Sequence, residues 1–221
     1  MPEFNTPTPI AAVLDIPAGR VRIIAEDRAD TAVEVLPADA SKGRDVKVAE
    51  STTVAYGDGV LRIKATAKNQ FLGASGAVDV TVHLPIGSRV EAKAAGAEFR
   101  TTGRLGDVAF DGAHGSVDLD RAASAHLTLL AGDVSVGRLD GSAEITTSKG
   151  DISIAEAVSG TVVLRADAGK LSVTAAAGVS ASLDAGTSHG RIHNALKNTD
   201  GAAALNIHAT TAYGDITARS L

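Results

Sequence analysis

Cysteine and tryptophan are absent from the 221 residues, and methionine occurs once. Without thiols there is no disulfide framework, no thiolate nucleophile and no cysteine-ligated metal. Aromatic residues make up only 3%, too few for a sandwich core packed around large rings or for the stacked-ring platforms that hold glycans. No stretch reaches the ~20 apolar residues of a membrane-spanning helix. The opening Met1-Pro2-Glu3-Phe4-Asn5-Thr6-Pro7 has neither the basic nor the apolar region of a secretion signal, so a cytoplasmic location is expected. The 21 Lys and Arg residues are outnumbered by 26 Asp and Glu, for a net charge of -5. No cluster of cations offers a nucleic-acid surface. Gly57-Asp58-Gly59 is a hairpin turn with no helix after it, so it is not a phosphate loop. No serine sits at the strand-to-helix turn of a nucleophile elbow.

What is present is a repeat. A glycine followed by alternating polar and apolar residues recurs as Gly115-Ser116-Val117-Asp118-Leu119, Gly132-Asp133-Val134-Ser135-Val136, Gly150-Asp151-Ile152-Ser153-Ile154 and Gly169-Lys170-Leu171-Ser172-Val173. It returns degraded at Gly190-Arg191-Ile192-His193-Asn194 and Gly214-Asp215-Ile216-Thr217-Ala218, with glycine intervals of 17, 18, 19, 21 and 24 residues. A second strand follows each pentad by about ten residues, as in His126-Leu127-Thr128-Leu129 and Val163-Leu164-Arg165-Ala166. Strand repeats near 20 residues predict a parallel β-solenoid, β-helix-like, in an all-β chain. Pentad positions three and five point inward, and equivalent residues stack ~4.8 Å apart from coil to coil.

The expected organisation is a region of short strands over 1–88, capping one end of a solenoid over 89–221, the two forming one continuous structure. In the first region Val21 and Ile23, Val33 and Val35, Val46 and Val48, Leu61 and Ile63, and Val78 through Leu84 alternate with period two. They read as short strands joined by tight turns, with no helix. Phe71 and Leu72 lie in the polar, glycine-containing stretch 68–76, either folding back onto the core or contacting a partner. A solenoid has an open end. Either its last coil is irregular enough to block stacking or two chains meet there, which makes a homo-oligomer a live expectation.

Several segments together resemble one known group. They are Gly19-Arg20-Val21-Arg22-Ile23, Asp58-Gly59-Val60-Leu61-Arg62-Ile63, Val82-His83-Leu84-Pro85-Ile86-Gly87-Ser88, and repeats such as Thr147-Ser148-Lys149-Gly150-Asp151-Ile152. The group is the bacterial β-strand-repeat “putative adhesin” family, a domain of unknown function common in actinobacteria and firmicutes. The resemblance covers nearly the whole chain and implies an all-β fold ending in a β-helix-like stack. It assigns no site. Many members carry Ser-Gly before the Asp, whereas the corners here read Lys149-Gly150, His189-Gly190 and Tyr213-Gly214.

On a solenoid, chemistry sits in columns. The outward column of the second strands, taken in chain order, is Thr128, Thr146, Arg165, Asp184 and His208. There Asp184 is expected to touch both neighbours, an arrangement that serves either a solvated ion ladder or an acid-base pair. The early coils are plain Ser and Asp, while the late coils gather Lys170, Asp184, His189, Arg191, His193, His208 and Tyr213. Any site is therefore expected at the C-terminal coils, with Lys170, Arg191, His193, His189 and Tyr213 as ligand contacts. His189 and His193 lie four residues apart on an extended chain, ~13 Å, too far for one ion, and neither a metal site nor a cofactor is expected. The first functional reading is a non-catalytic scaffold or binding module that offers a polar ladder face to a protein or small molecule. The alternative is an enzyme on the same scaffold, with His208 as acid-base, Asp184 orienting it and Arg165 or Lys170 holding an anionic group. A third class is a structural, oligomeric or filament-forming protein.

Overall fold

The computed structural model describes residues 2–65, 76–198 and 202–221; Phe71 and Leu72 lie outside them. The chain divides into two compact units, Met1–Gly115 and Ser116–Leu221.

The first unit contains β1 (Glu3–Asn5), β2 (Ala11–Glu26), β3 (Asp30–Pro37), α1 (Gly43–Ser51), β4 (Thr53–Gly57), β5 (Val60–Lys64), β6 (Val78–Pro85), β7 (Arg89–Thr102) and β8 (Arg104–His114). β2 lies between parallel neighbours, with β5 and β6 along one side and β7 along the other. Parallel stacking therefore starts near the N-terminus; β3, β4, β5 and β6 are short strands as expected, and β2 is a long one. The reason is visible in β2. Ala12, Leu14 and Ile16 are buried, then Val21, Ile23 and Ala25; the alternation changes phase at Pro17-Ala18-Gly19. Those residues read as a turn between strands, but the ladder to β7 runs through them, from Ala11 opposite Arg89 to Ile24 opposite Thr102. They form a coil corner. β3 runs antiparallel to β6, and β4 to β5 across a tight turn in which Asp58 and Gly59 both have positive φ.

Residues 43–51 correct the expectation of no helix. Val46 and Val48 suggested alternation, yet the buried residues of α1 are Asp45 and Val48, a spacing of three that belongs to a helix. Asp45 is buried because its carboxylate accepts the Ala77 N–H at 3.1 Å. The core of this unit holds Leu14, Ile23, Leu61, Ile63, Leu84 and Phe99, with the Phe99 ring 5.1 Å from that of Phe110.

The second unit is a stack of two-strand coils. Its strands are β9 (Val117–Ala131), β10 (Val134–Leu139), β11 (Ala143–Lys149), β12 (Ile152–Ala157), β13 (Gly160–Ala168), β14 (Leu171–Ala175), β15 (Ala181–His189), β16 (Ile192–Ala195), β17 (Leu205–Tyr213) and β18 (Ile216–Ser220). All coil-to-coil pairings among them are parallel. Inward residues such as Val117, Val134, Ile152 and Leu171 are buried, as the pentad pattern requires.

The stacking order departs from chain order. β13 pairs with β17, which pairs with β15, and β14 pairs with β18, which pairs with β16. The coil β17–β18 is inserted between β13–β14 and β15–β16. The corner glycines trace the same path: Gly214 approaches the carbonyl of Gly169, and Gly190 that of Gly214. Apolar content explains the choice. Leu205, Ile207 and Ile216 are at most 1% exposed in the inserted coil, whereas Ile192 of the outer coil is 47% exposed and Asn194 stands where the others carry an apolar side chain. The coil with the better core is covered on both sides.

Candidate functional site

The corners explain why Asp follows Gly so often. The Asp151 N–H donates to Asp133 Oδ1 at 2.8 Å, the Lys170 N–H to Asp151 Oδ1 at 2.8 Å, and the Arg191 N–H to Asp215 Oδ1 at 2.9 Å. Each carboxylate takes a backbone donor of the next coil, which the parallel ladder leaves free at the corner. The column is thus Asp133, Asp151, Lys170, Asp215, Arg191, with the last two reversed from the chain order. The Arg191 N–H, and then the charges of Arg191 and Lys170, hold the Asp215 carboxyl below its ordinary 3.8.

A depressed carboxylate contributes stability that is complete above its unfolded pKa and is lost as pH falls through the lower folded value. Asp215→Asn is therefore expected to lower Tm at neutral pH, and the gap from the parent is expected to close as pH drops below about 4. Melting curves of both proteins across that range check this, and a gap that widens in acid would contradict it.

The second-strand columns are also reordered. Asp184 lies beside His208, with Nδ1 of His208 3.3 Å from Oδ2 of Asp184. Arg165 does not join them. Its register neighbours are Thr146 and Thr210, and Val163 occupies the place beside His208. The Arg165 guanidinium donates instead to Glu144 at 2.7 Å. The expected Arg165, Asp184, His208 column fails because a coil was inserted and because a two-residue shift along the strand separates Arg165 from the other two. Their side chains are 50% exposed for His208, 83% for Asp184 and 54% for Arg165.

His189 and Tyr213 meet at the next corner, their rings stacked 4.6 Å apart and 10° from parallel. His193 lies beside Thr217 on the outer coil, and Arg191 reaches Asp215 at 3.4 Å with a side chain 90% exposed. Among the described residues no group of three His, Cys, Asp or Glu side chains is placed to hold a metal ion. No helix among them is long and apolar enough to cross a membrane.

The first unit holds a feature that the sequence did not reveal, a hollow of about 470 Å³ whose lining includes Gly19, Arg20, Asp79, Ala97, Glu98 and His114. Arg20 is paired there with Asp79. These residues meet because β2 places Arg20 between Asp79 of β6 and Glu98 of β7. Only the parallel pairing of β2 could have brought them together on paper.

No curated protein matches the chain. Among solved structures it is similar to a “putative adhesin” of Bacteroides fragilis, with 10% identity, a TM-score of 0.53 and coverage of 98% of this chain and 95% of that one. It is also similar to a “putative lipid binding protein” of Parabacteroides distasonis, with 12% identity, a TM-score of 0.47 and coverage of 98% and 95%. Residues 13–220 match the profile of the family described as Toastrack DUF4097. That match spans almost the entire sequence, and the chain belongs to this family of domains of unknown function.

Proposed function

We propose that the protein is a non-catalytic binding module, a β-solenoid that offers an outward ladder of polar side chains to a protein or small-molecule ligand. One observation carries the reading. The candidate side chains stand in solvent and are already engaged in coil-to-coil pairs: Asp184 is 83% and Arg191 90% exposed. General acid-base work calls for a base and its orienting group held in a concave, water-poor site against the reacting bond. An exposed ladder with fixed rungs suits recognition of an extended or repeating partner. The adhesin-like description of the Bacteroides fragilis structure points the same way. The ladder positions assigned to this role are Arg165, Asp184 and His208 on the β13–β17–β15 ladder and His193 on the β14–β18–β16 ladder, with Lys170, Arg191, His189 and Tyr213 at the corners.

The test pairs selection with a face variant. Ligands are selected on the purified chain from peptide-display and small-molecule sets, then measured on the double variant Arg165→Glu, His193→Glu. Both positions are exposed, so Tm is expected to stay within about 2 °C. Affinity is expected to fall at least about tenfold, with the ligand recovered unchanged. Equal affinity for the variant, or recovery of a converted product, would overturn the reading.

A further inference from the structure

The inserted coil is held by charged and aromatic side chains of the late coils on both of its sides. Its Asp215 lies between Lys170 on one side and Arg191 on the other, accepting the Arg191 N–H at 2.9 Å. Its His208 faces Asp184 at 3.3 Å, and its Tyr213 stacks on His189. These contacts form a recognition set for one coil in one slot.

The walls of the slot match each other as well. Gly160 and Ala181 both pair with Leu205, Ala168 and His189 both with Tyr213, and Leu171 and Ile192 both with Ile216. Each wall residue differs from its counterpart by 21 positions, the spacing of adjacent repeats. The outer coil could therefore seat directly on β13–β14 in the same register. Closing the slot in that way would put Lys170 against Arg191, like charges on neighbouring strands. It would also remove the carboxylate that takes the Arg191 N–H. The slot is built for a coil that brings a carboxylate, and chain order does not deliver one, because β15–β16 is made before β17–β18.

We infer that this slot is a docking site for the β17–β18 coil of a second copy of the chain, so that two molecules exchange their C-terminal coils reciprocally. Insertion from a neighbour makes the same hydrogen bonds, the same Lys170–Asp215–Arg191 alternation and the same ring stack as insertion from within. Exchange of identical elements requires no new interface. The inference is independent of any ligand on the outward face.

The absence of cysteine makes the test direct. Ser172 and Thr217 face each other across β14 and β18. Full-length Ser172→Cys and Thr217→Cys proteins are mixed at high concentration, warmed below Tm, cooled and oxidised. The expected product is a cross-linked dimer joining position 172 of one chain to 217 of the other, identified by peptide mass. A control mixture of Ser153→Cys with Thr217→Cys, displaced by one further coil, is expected to cross-link at least tenfold less. Adding Asp215→Lys to the Thr217→Cys chain is expected to cut the yield at least tenfold. Equal yields at 172 and 153 would overturn the inference. If a cysteine variant fails to fold, isotope-labelled and unlabelled parent chains are mixed and weighed by native mass spectrometry. A mixed dimer that forms on warming and persists after dilution supports exchange, and monomer at every concentration refutes it.

Discussion

Gly150→Ala is expected to lower Tm by about 10 °C. A Cβ at this position would lie 2.1 Å from the carbonyl oxygen of Gly132 and 2.5 Å from its carbon, in a backbone with φ of +145°. Both contacts are with main chain in the neighbouring coil, so no side-chain rotation can relieve them. Relief requires the coils to move apart, which stretches the parallel ladders on both sides. A clash of this kind combined with an unfavourable φ belongs among the large single-site effects, about 3–5 kcal/mol. For a chain of this size each kcal/mol moves Tm by roughly 2–4 °C. Gly186→Ala is the matched control. Its nearest neighbour is Thr210 Cγ2 at 4.0 Å, so alanine fits, and the change is expected to be neutral or to stabilise by about 0.5 kcal/mol through the unfolded chain. Thermal and urea unfolding of the two variants separate packing at the corner from any general effect of losing a glycine. A Gly150→Ala protein that melts with the parent would contradict the close coil contact.

Phe99→Ala is expected to cost about 3–5 kcal/mol, the range for emptying a fully buried aromatic site. Phe99 is 1% exposed and lies against Phe110, its ring tilted by 39° at 5.1 Å. In a protein with so few rings, most buried positions hold Val, Leu, Ile or Ala, which are too small to fill the vacated volume without moving strands. Phe99→Leu keeps much of that volume and is expected to cost about 1.5 kcal/mol or less. A double-mutant cycle of Phe99→Leu with Phe110→Leu is expected to show about 1 kcal/mol of coupling. Urea midpoints and slopes for the four proteins provide the measurement. A Phe99→Ala cost below 1 kcal/mol would mean that the ring is not a core element.

The solenoid was legible because its evidence is local. Gly150-Asp151-Ile152-Ser153-Ile154 states its own corner, its outward residues and its inward residues, and the neighbouring repeats align with it residue by residue. The hairpin at Asp58-Gly59 was legible for the same reason. α1 was missed because Val46 and Val48 imitate a strand, while the residue that settles the matter is a buried aspartate paired 32 positions away with Ala77. The long strand β2 was missed because a corner inside a continuous ladder has the same Pro-Ala-Gly composition as a turn between strands. The inserted coil was hidden for a deeper reason. Each repeat offers the same backbone donors and acceptors to any other, so hydrogen-bond pattern alone does not rank the orders. The ranking comes from how well Leu205, Ile207 and Ile216 fill the interior compared with Leu183 and Ile192, and from where Asp215 must stand. That also scattered the proposed Arg165, Asp184, His208 column while leaving the Asp184–His208 contact intact.

The corner carboxylates give the stack a direction. Asp133, Asp151 and Asp215 each accept the N–H of the coil that follows in space, so a coil with a corner carboxylate prepares the place for its successor. The outermost coil has Arg191 at this position, with nothing to offer an incoming N–H. A strand arriving there without a carboxylate of its own, such as Asp215 brings to Lys170, would begin with an unanswered donor beside a positive charge, and the open edge so formed is a poor template for runaway growth into fibrils.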